Sequence, residues 1–275
     1  METPFKIGTY GVMMAVGFLT SSWWMNKELR RRNIDPGVGD MTIMLGIVLG
    51  VIGSKLAYML TEAETFSFSD LISGAGLTWH GGLIMAGTGI VVYWVMKKLS
   101  VLIMLDNTAP MLASGYAFGR VGCFISGDGC YGIPCTPTDI DRLFCMPFPN
   151  GIVPTTIPVH PTPLYEALAG FVIAAILWKI RKLFKHPGIL FAIYLVGTGF
   201  SRFFIEFIRR ADGRPDRFLD LRDAHWIALA QVALGVAMVI WAMLRTIPKG
   251  HEWGVMPVPV EKPAAAGKAK KNRHR

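Results

Sequence analysis

Seven apolar runs, at about residues 7–25, 41–60, 82–96, 101–119, 164–178, 188–208 and 225–244, alternate with clusters of charge along the chain. Most are close to twenty residues, the length that carries an α-helix across the ~30 Å hydrocarbon core of a bilayer. The third and fifth are shorter. Hydrophobic residues make up 52% of the sequence and charged residues 17%, and the charges are segregated between the runs. The pattern predicts an all-α integral membrane protein of seven transmembrane helices, not a soluble globule with a large core. The first run has neither a basic leader nor an A-x-A site, so it reads as a retained span.

Orientation follows from where the cations fall. "KELRRR" (27–32), "KK" (97–98), "KIRKLFK" (179–185) and the stretch from Arg245 to Arg275 lie on one side and hold 18 of the 28 Lys and Arg. An excess of this kind marks the cytoplasmic side, which predicts an N-terminus outside and a C-terminus in the cytoplasm. The expected division is a seven-helix domain, 1–248, with an extracytoplasmic loop at 121–160, followed by a basic disordered cytoplasmic tail, 249–275, near anionic lipid. The net charge of +9 is accounted for by this bias, and no nucleic-acid partner is implied.

The outer side should be poor in cations, yet Arg202, Arg209, Arg210, Arg214, Arg217 and Arg222 fall there, joined by Arg120 at the outer end of the fourth run. The loop arginines have an ordinary explanation: a solvated loop pairing them with Asp212, Asp216, Asp220 and Asp223. Arg120 and Arg202 do not, because they sit within or at the edge of hydrocarbon. A charge there costs at least ~2.5 kcal/mol and marks a functional site. In "GFSRFFIEFIRR" (199–210), Arg202, Glu206 and Arg210 recur at i, i+4 and i+8, with Arg209 on the neighbouring flank. Glu206 can hold the Arg202 guanidinium and leave part of its fork free for a phosphate, which arginine binds with two parallel hydrogen bonds.

More polar groups gather on this side: Tyr10, His80 followed by Gly81 and Gly82, His160, Tyr165 and Glu166, with Asp106 in the fourth run. The glycines beside His80 suit close approach of a substrate and equally suit tight helix packing. All four cysteines, Cys123, Cys130, Cys135 and Cys145, fall in the outer segment between the fourth and fifth runs. In an oxidising compartment that predicts one or two disulfides, with three pairings open if both form. Cys123, three residues after Arg120, reads alternatively as a small reduced side chain shaping the site.

The sequence resembles the prolipoprotein diacylglyceryl transferase family over about residues 7–245. The motifs that carry the resemblance are Tyr10-Gly11 in "TYGVMMAVGF", "GSKLAYML" with Lys55 before its tyrosine, His80-Gly81-Gly82, "HPTPLYE" (160–166), and Gly199, Arg202, Glu206 and Arg209 in the order Gly-x-x-Arg-x-x-x-Glu-x-x-Arg. The stretch "GRVGCFISGDGCYG" (119–132) corresponds to the family signature Gly-Arg-x-Gly-Asn-Phe-x-Asn-x-Glu. It keeps Gly119, Arg120, Gly122 and Phe124, but has Cys123 and Ser126 for the asparagines, Asp128 for the acid, and one residue inserted before Gly132. Thr198 stands where the family often has tyrosine.

The resemblance implies transfer of the diacylglyceryl group of phosphatidylglycerol to the lipobox cysteine of a prolipoprotein signal peptide, at the extracytoplasmic side of the bacterial inner membrane. Its catalytic residues would be Arg120 and Arg202, which neutralise the leaving phosphate, and His80, which takes the thiol proton. Tyr10, His160, Tyr165 and Glu166 would orient the headgroup, and Asp106 would anchor an arginine. Gly119, Cys123, Ser126, Asp128, Gly132, Glu206 and Arg209 would complete the substrate site, with no metal and no organic cofactor. The rival readings are a lipid-binding paralogue without activity or with altered specificity, and an anion or lipid transporter. A transporter would be expected to show an internal repeat and polar groups on both faces.

Overall fold

The computed structural model describes residues 8–61, 78–135, 145–210 and 221–245. Seven helices lie among them: α1 (Thr9–Arg31), α2 (Gly37–Thr61), α3 (Trp79–Met96), α4 (Val101–Ser126), α5 (Thr162–Ile180), α6 (Ile189–Ile208) and α7 (Asp223–Leu244). Four of them, α2, α5, α6 and α7, are long and apolar enough to cross a membrane, and the apolar part of α3, His80–Met96, is shorter. A helix suits such runs because every internal backbone N–H and C=O is paired within the segment, where lipid offers no partner. The expected tail 249–275 and the residues Asp212, Arg214, Asp216, Arg217 and Asp220 lie outside the described residues.

Sequential helices pack antiparallel. The start of α1 meets the end of α4, since a Cβ at Gly122 would lie 3.0 Å from the Tyr10 ring. α4 is the hub, touching α1, α3, α5 and α6. That position explains its polar content: Asp106, Asn107, Thr108 and Ser114 are all buried on it, turned into the bundle. The outer helices carry their apolar bulk outward instead, with Leu168, Val172 and Ile176 exposed on α5 and Phe200, Phe204 and Phe207 on α6. Such faces fit a lipid environment.

Close helix contact is obtained with small residues, as expected where lipid removes the usual hydrophobic drive. Gly170 of α5 sits on Ala113 and Ala117 of α4, and Gly199 of α6 sits on the Ala228 carbonyl of α7. Gly81 and Gly82 do the same for α3: an added Cβ would lie 2.4 Å from the Gly53 carbonyl oxygen and 2.8 Å from that of Gly50, respectively. Of the two uses open to these glycines, the structure displays tight packing on α2.

Two expectations change. The loop expected at 121–160 starts later, because α4 continues as helix to Ser126 and stops at Gly127, whose φ of 61° is left-handed. The segment is also not irregular throughout: β1 (Met146–Phe148) and β2 (Thr155–Val159) form a two-stranded antiparallel sheet, an addition to the all-α prediction.

Asp106 is the second change. It lies about 21 Å of helix from Arg120, at 1.5 Å per residue, and anchors no arginine of the outer group. Its carboxylate accepts from the Gly188 N–H at 2.7 Å and the Phe191 N–H at 2.9 Å, capping the start of α6 at the opposite end of the bundle. Those N–H groups have no partner within the helix, so the acid is structural. Asp106→Ala is expected to cost about 2 kcal/mol, a fall of roughly 4–8 °C in a detergent thermal melt. At the same end, buried Glu28 gathers Arg31, Arg32 and Arg181, and Trp24 stacks on Trp178.

Candidate active site

Three helix ends converge on one carboxylate. Glu166, in the first turns of α5 and 2% exposed at its side chain, pairs through Oε2 with Arg120 Nε of α4 at 2.8 Å. Through Oε1 it accepts from Arg202 Nη1 of α6 and, at 3.2 Å, from Arg209 Nη1 just beyond α6. A second buried acid, Glu206, takes Arg202 Nη2 at 2.8 Å and Arg222 Nη1 at 3.3 Å. The i, i+4 spacing that the sequence suggested for Arg202 and Glu206 is realised on one helix face. Arg202 therefore spans two carboxylates with its two terminal nitrogens.

Four guanidinium groups against two carboxylates leave two positive charges in this network. The acids are buried, while the arginine side chains keep 18% to 28% of their surface open. Cations paired with buried acids, with a net positive charge and part of their surface open, can receive an anion. Arg120 is further fixed by the Tyr116 ring, 5.1 Å from its Cζ. Arg222 closes the far side, donating to the Arg209 carbonyl at 2.9 Å.

The expected site residues divide into three groups. Arg120, Arg202, Glu166, Glu206 and Arg209 form the network itself, and Glu166 orients arginines where it was expected to orient a headgroup. The second group shapes the wall beside it. His160 is buried, and its Nδ1 lies 3.4 Å from the Tyr165 hydroxyl. Gly132 donates to the His160 carbonyl at 2.8 Å and bridges to Arg209. A Cβ at Gly132 would sit 2.5 Å from the Ile208 carbonyl oxygen, so the close approach that positions Arg209 needs glycine there. Gly119 packs against Met14, and the Ser126 hydroxyl donates to the Cys123 carbonyl.

His80 stands apart. It is exposed at the start of α3, and among the described residues no hydrogen bond or ion pair joins it to the arginine network. Arg222 and Tyr116 were missed by sequence reasoning. For Arg222 the available signal was a cation on the wrong side of the membrane pattern. Arg222 pairs with Glu206, and the expected pairing with Asp212, Asp216 and Asp220 lies outside the described residues.

At the end of α4, Cys123 Sγ, Cys130 Sγ and an Asp128 carboxylate oxygen lie within 4.8 Å of one another. Asp128 also accepts the Cys130 N–H at 3.1 Å. The hydrogen bond from Cys123 holds the Cys130 thiol below its ordinary value, at about 7, with help from Arg209 and Arg120 against burial and the Asp128 charge. The same positive field that favours a thiolate opposes a metal cation among these donors. Of the four cysteines, Cys135 and Cys145 are joined as a disulfide, whereas Cys123 and Cys130 are free thiols.

Residues 1–241 match the family model described as prolipoprotein diacylglyceryl transferase. The chain belongs to the prolipoprotein diacylglyceryl transferase family. Curated relatives named phosphatidylglycerol–prolipoprotein diacylglyceryl transferase include one from Leptospira interrogans, 33% identical over 73% of this chain and 71% of its own length. Others come from Clostridium tetani, 31% identical over 84% of this chain and 91% of its own, and Cupriavidus pinatubonensis, 30% identical over 90% and 92%.

Proposed function

We propose that this chain transfers the diacylglyceryl group of phosphatidylglycerol to the thiol of a prolipoprotein lipobox cysteine, forming a thioether and releasing glycerol phosphate. The observation that carries the reading is that Arg120 and Arg202 engage the two oxygens of one carboxylate, Glu166, close enough together to share a single phosphodiester.

In this reaction the thiolate attacks the glycerol carbon, the carbon–oxygen bond to phosphate breaks, and the electron pair leaves with the phosphate. Charge on that phosphate grows from one to two as the bond breaks. The two net positive charges of the network match the product, so stabilisation rises along the reaction coordinate, which is what lowers a barrier. The thiolate is the nucleophile, and a free cysteine ordinarily has a pKa of about 8.5. The arginine field favours that thiolate, and His80 is the proposed proton acceptor. His80 is exposed and outside the network, so this role requires the peptide to bring its thiol within hydrogen-bond reach of that side chain.

The proposed topology is seven spans in the bacterial inner membrane, N-terminus outside and C-terminus in the cytoplasm. The starts of α1, α3, α5 and α7 and the ends of α4 and α6 gather at one end of the bundle, supporting an extracytoplasmic site. The domain is proposed to run from 1 to 248, with 249–275 as a basic cytoplasmic tail.

The test is to incubate purified protein with phosphatidylglycerol and a lipobox peptide and follow the peptide by mass spectrometry. A gain of one diacylglyceryl group on the cysteine is expected. Binding of the lipid without product would instead identify a non-catalytic lipid-binding relative. In the same assay, His80→Gln is expected to lower the rate by about 10²-fold or more. A wild-type rate would end the role of His80 as base and leave activation of the thiol to the arginine field.

A further inference from the structure

Two thiols beside the network are not used by the transfer reaction. Cys123 lies on α4 one turn beyond Arg120, and Cys130 lies just past the left-handed turn at Gly127. We infer that Cys123 and Cys130 close into a second, reversible disulfide that switches the transfer site off. The inference rests on the transferase reading for its effect, and on the extracytoplasmic placement for surroundings in which disulfides persist.

Geometry supports it at three points. Their sulfurs already lie within 4.8 Å, and a disulfide needs about 2.05 Å. With Cys135 and Cys145 joined to each other, this is the one pairing left open. The two thiols also differ in access: Cys123 is 8% exposed and Cys130 more open. Cys130, whose thiolate is favoured by Cys123 and by Arg209 and Arg120, is therefore the group that reacts first, and Cys123 the group that resolves.

The step balances through thiol–disulfide exchange. Cys130 thiolate attacks a sulfur of an external disulfide, R–S–S–R, and expels one R–S⁻. Cys123 thiolate then attacks Cys130 Sγ and expels the second. Two protein thiols are oxidised, one external disulfide is reduced to two thiols, and the two protons end on those thiols.

Closure reaches the site because the segment around Cys130 is anchored to it. The Cys130 carbonyl accepts from Thr162 Oγ1 at 2.7 Å, at the start of the helix that carries Glu166. The Tyr131 carbonyl accepts from the Arg210 N–H at 3.2 Å, and Gly132 bridges to Arg209. Drawing Cys130 toward α4 pulls on both anchors of the arginine network.

The experiment treats full-length purified protein with oxidised glutathione, blocks free thiols with iodoacetamide, reads the intact mass without reductant, and assays peptide transfer in parallel. Untreated protein is expected to take up two alkyl groups and treated protein none, with transfer reduced at least tenfold. Cys130→Ala is expected to transfer at the same rate before and after treatment. Two alkylated thiols after treatment, or a closed pair with an unchanged rate, would overturn the inference. Thiol state is read by mass alone, so untreated protein without any transfer would overturn the transferase reading, and the switch with it, while leaving the disulfide to be judged separately.

Discussion

Arg202→Lys is expected to lower diacylglyceryl transfer by about 10²–10³-fold, equivalent to ~3–4 kcal/mol of transition-state stabilisation, in a protein that inserts and folds as before. The reason is geometric. Arg202 reaches Glu166 with Nη1 and Glu206 with Nη2, bridging two buried acids while its outer edge stays available. Lysine keeps the charge but has a single nitrogen on a flexible stem, so it cannot span both acids and also present two parallel donors to a phosphate. Because the phosphodiester carries one charge when bound and gains the second as the carbon–oxygen bond breaks, most of the loss is expected in kcat and a smaller part in lipid binding. Arg120→Lys is expected to act in the same direction, since Arg120 is held by Glu166 and by the face of Tyr116. The check is the peptide mass assay over a range of lipid concentrations, with a melt to confirm the fold. Full activity in Arg202→Lys would remove the bidentate argument.

What could be read from the sequence was the local and the periodic. Apolar length announced helices, and the cation pattern singled out Arg120 and Arg202 as misplaced, while Arg222 was grouped with the loop arginines. The Arg202–Glu206 pair was visible because i, i+4 spacing fixes a shared helix face without any knowledge of the tertiary fold. Glu166 was visible only as a polar residue near a helix start. Its role as the acid shared by three arginines depends on α4, α5 and α6 meeting, and no spacing within one helix encodes that. Asp106 was misplaced for a related reason. Hydropathy finds a span but does not say which end of a 26-residue helix a polar residue serves, and Asp106 serves the start of α6. Gly81 and Gly82 were ambiguous until α2 was seen against them, because glycine gives the same signal for a ligand and for a neighbouring backbone. His80 was drawn in by its place on the outer side beside two glycines, and neither signal fixes its distance from the arginines.

Glu166→Gln is expected to remove most activity and much stability at once. The glutamine has the same shape, but the network then keeps four guanidinium groups against one carboxylate, and its net charge rises from two to three. One amide oxygen replaces two charged ones, and the amide N–H₂ faces guanidinium donors with nothing to accept from it. Removing the shared partner of buried or half-buried charges costs about 3–5 kcal/mol, which for a chain of this size is a fall of roughly 10 °C in the melting temperature. Arg120, Arg202 and Arg209 repel and turn outward, so turnover is expected to fall by more than 10²-fold, while binding of anionic phosphatidylglycerol vesicles is kept or strengthened by the added charge. That opposite response separates positioning from attraction: a site that needed only positive charge would improve. Glu166→Asp retains the charge one methylene short and is expected to fold, with an intermediate rate, which keeps the test usable if the glutamine variant does not accumulate. A wild-type rate in Glu166→Gln would mean that the arginines hold their geometry without a common anion, and the account of catalysis built on that shared carboxylate would fail.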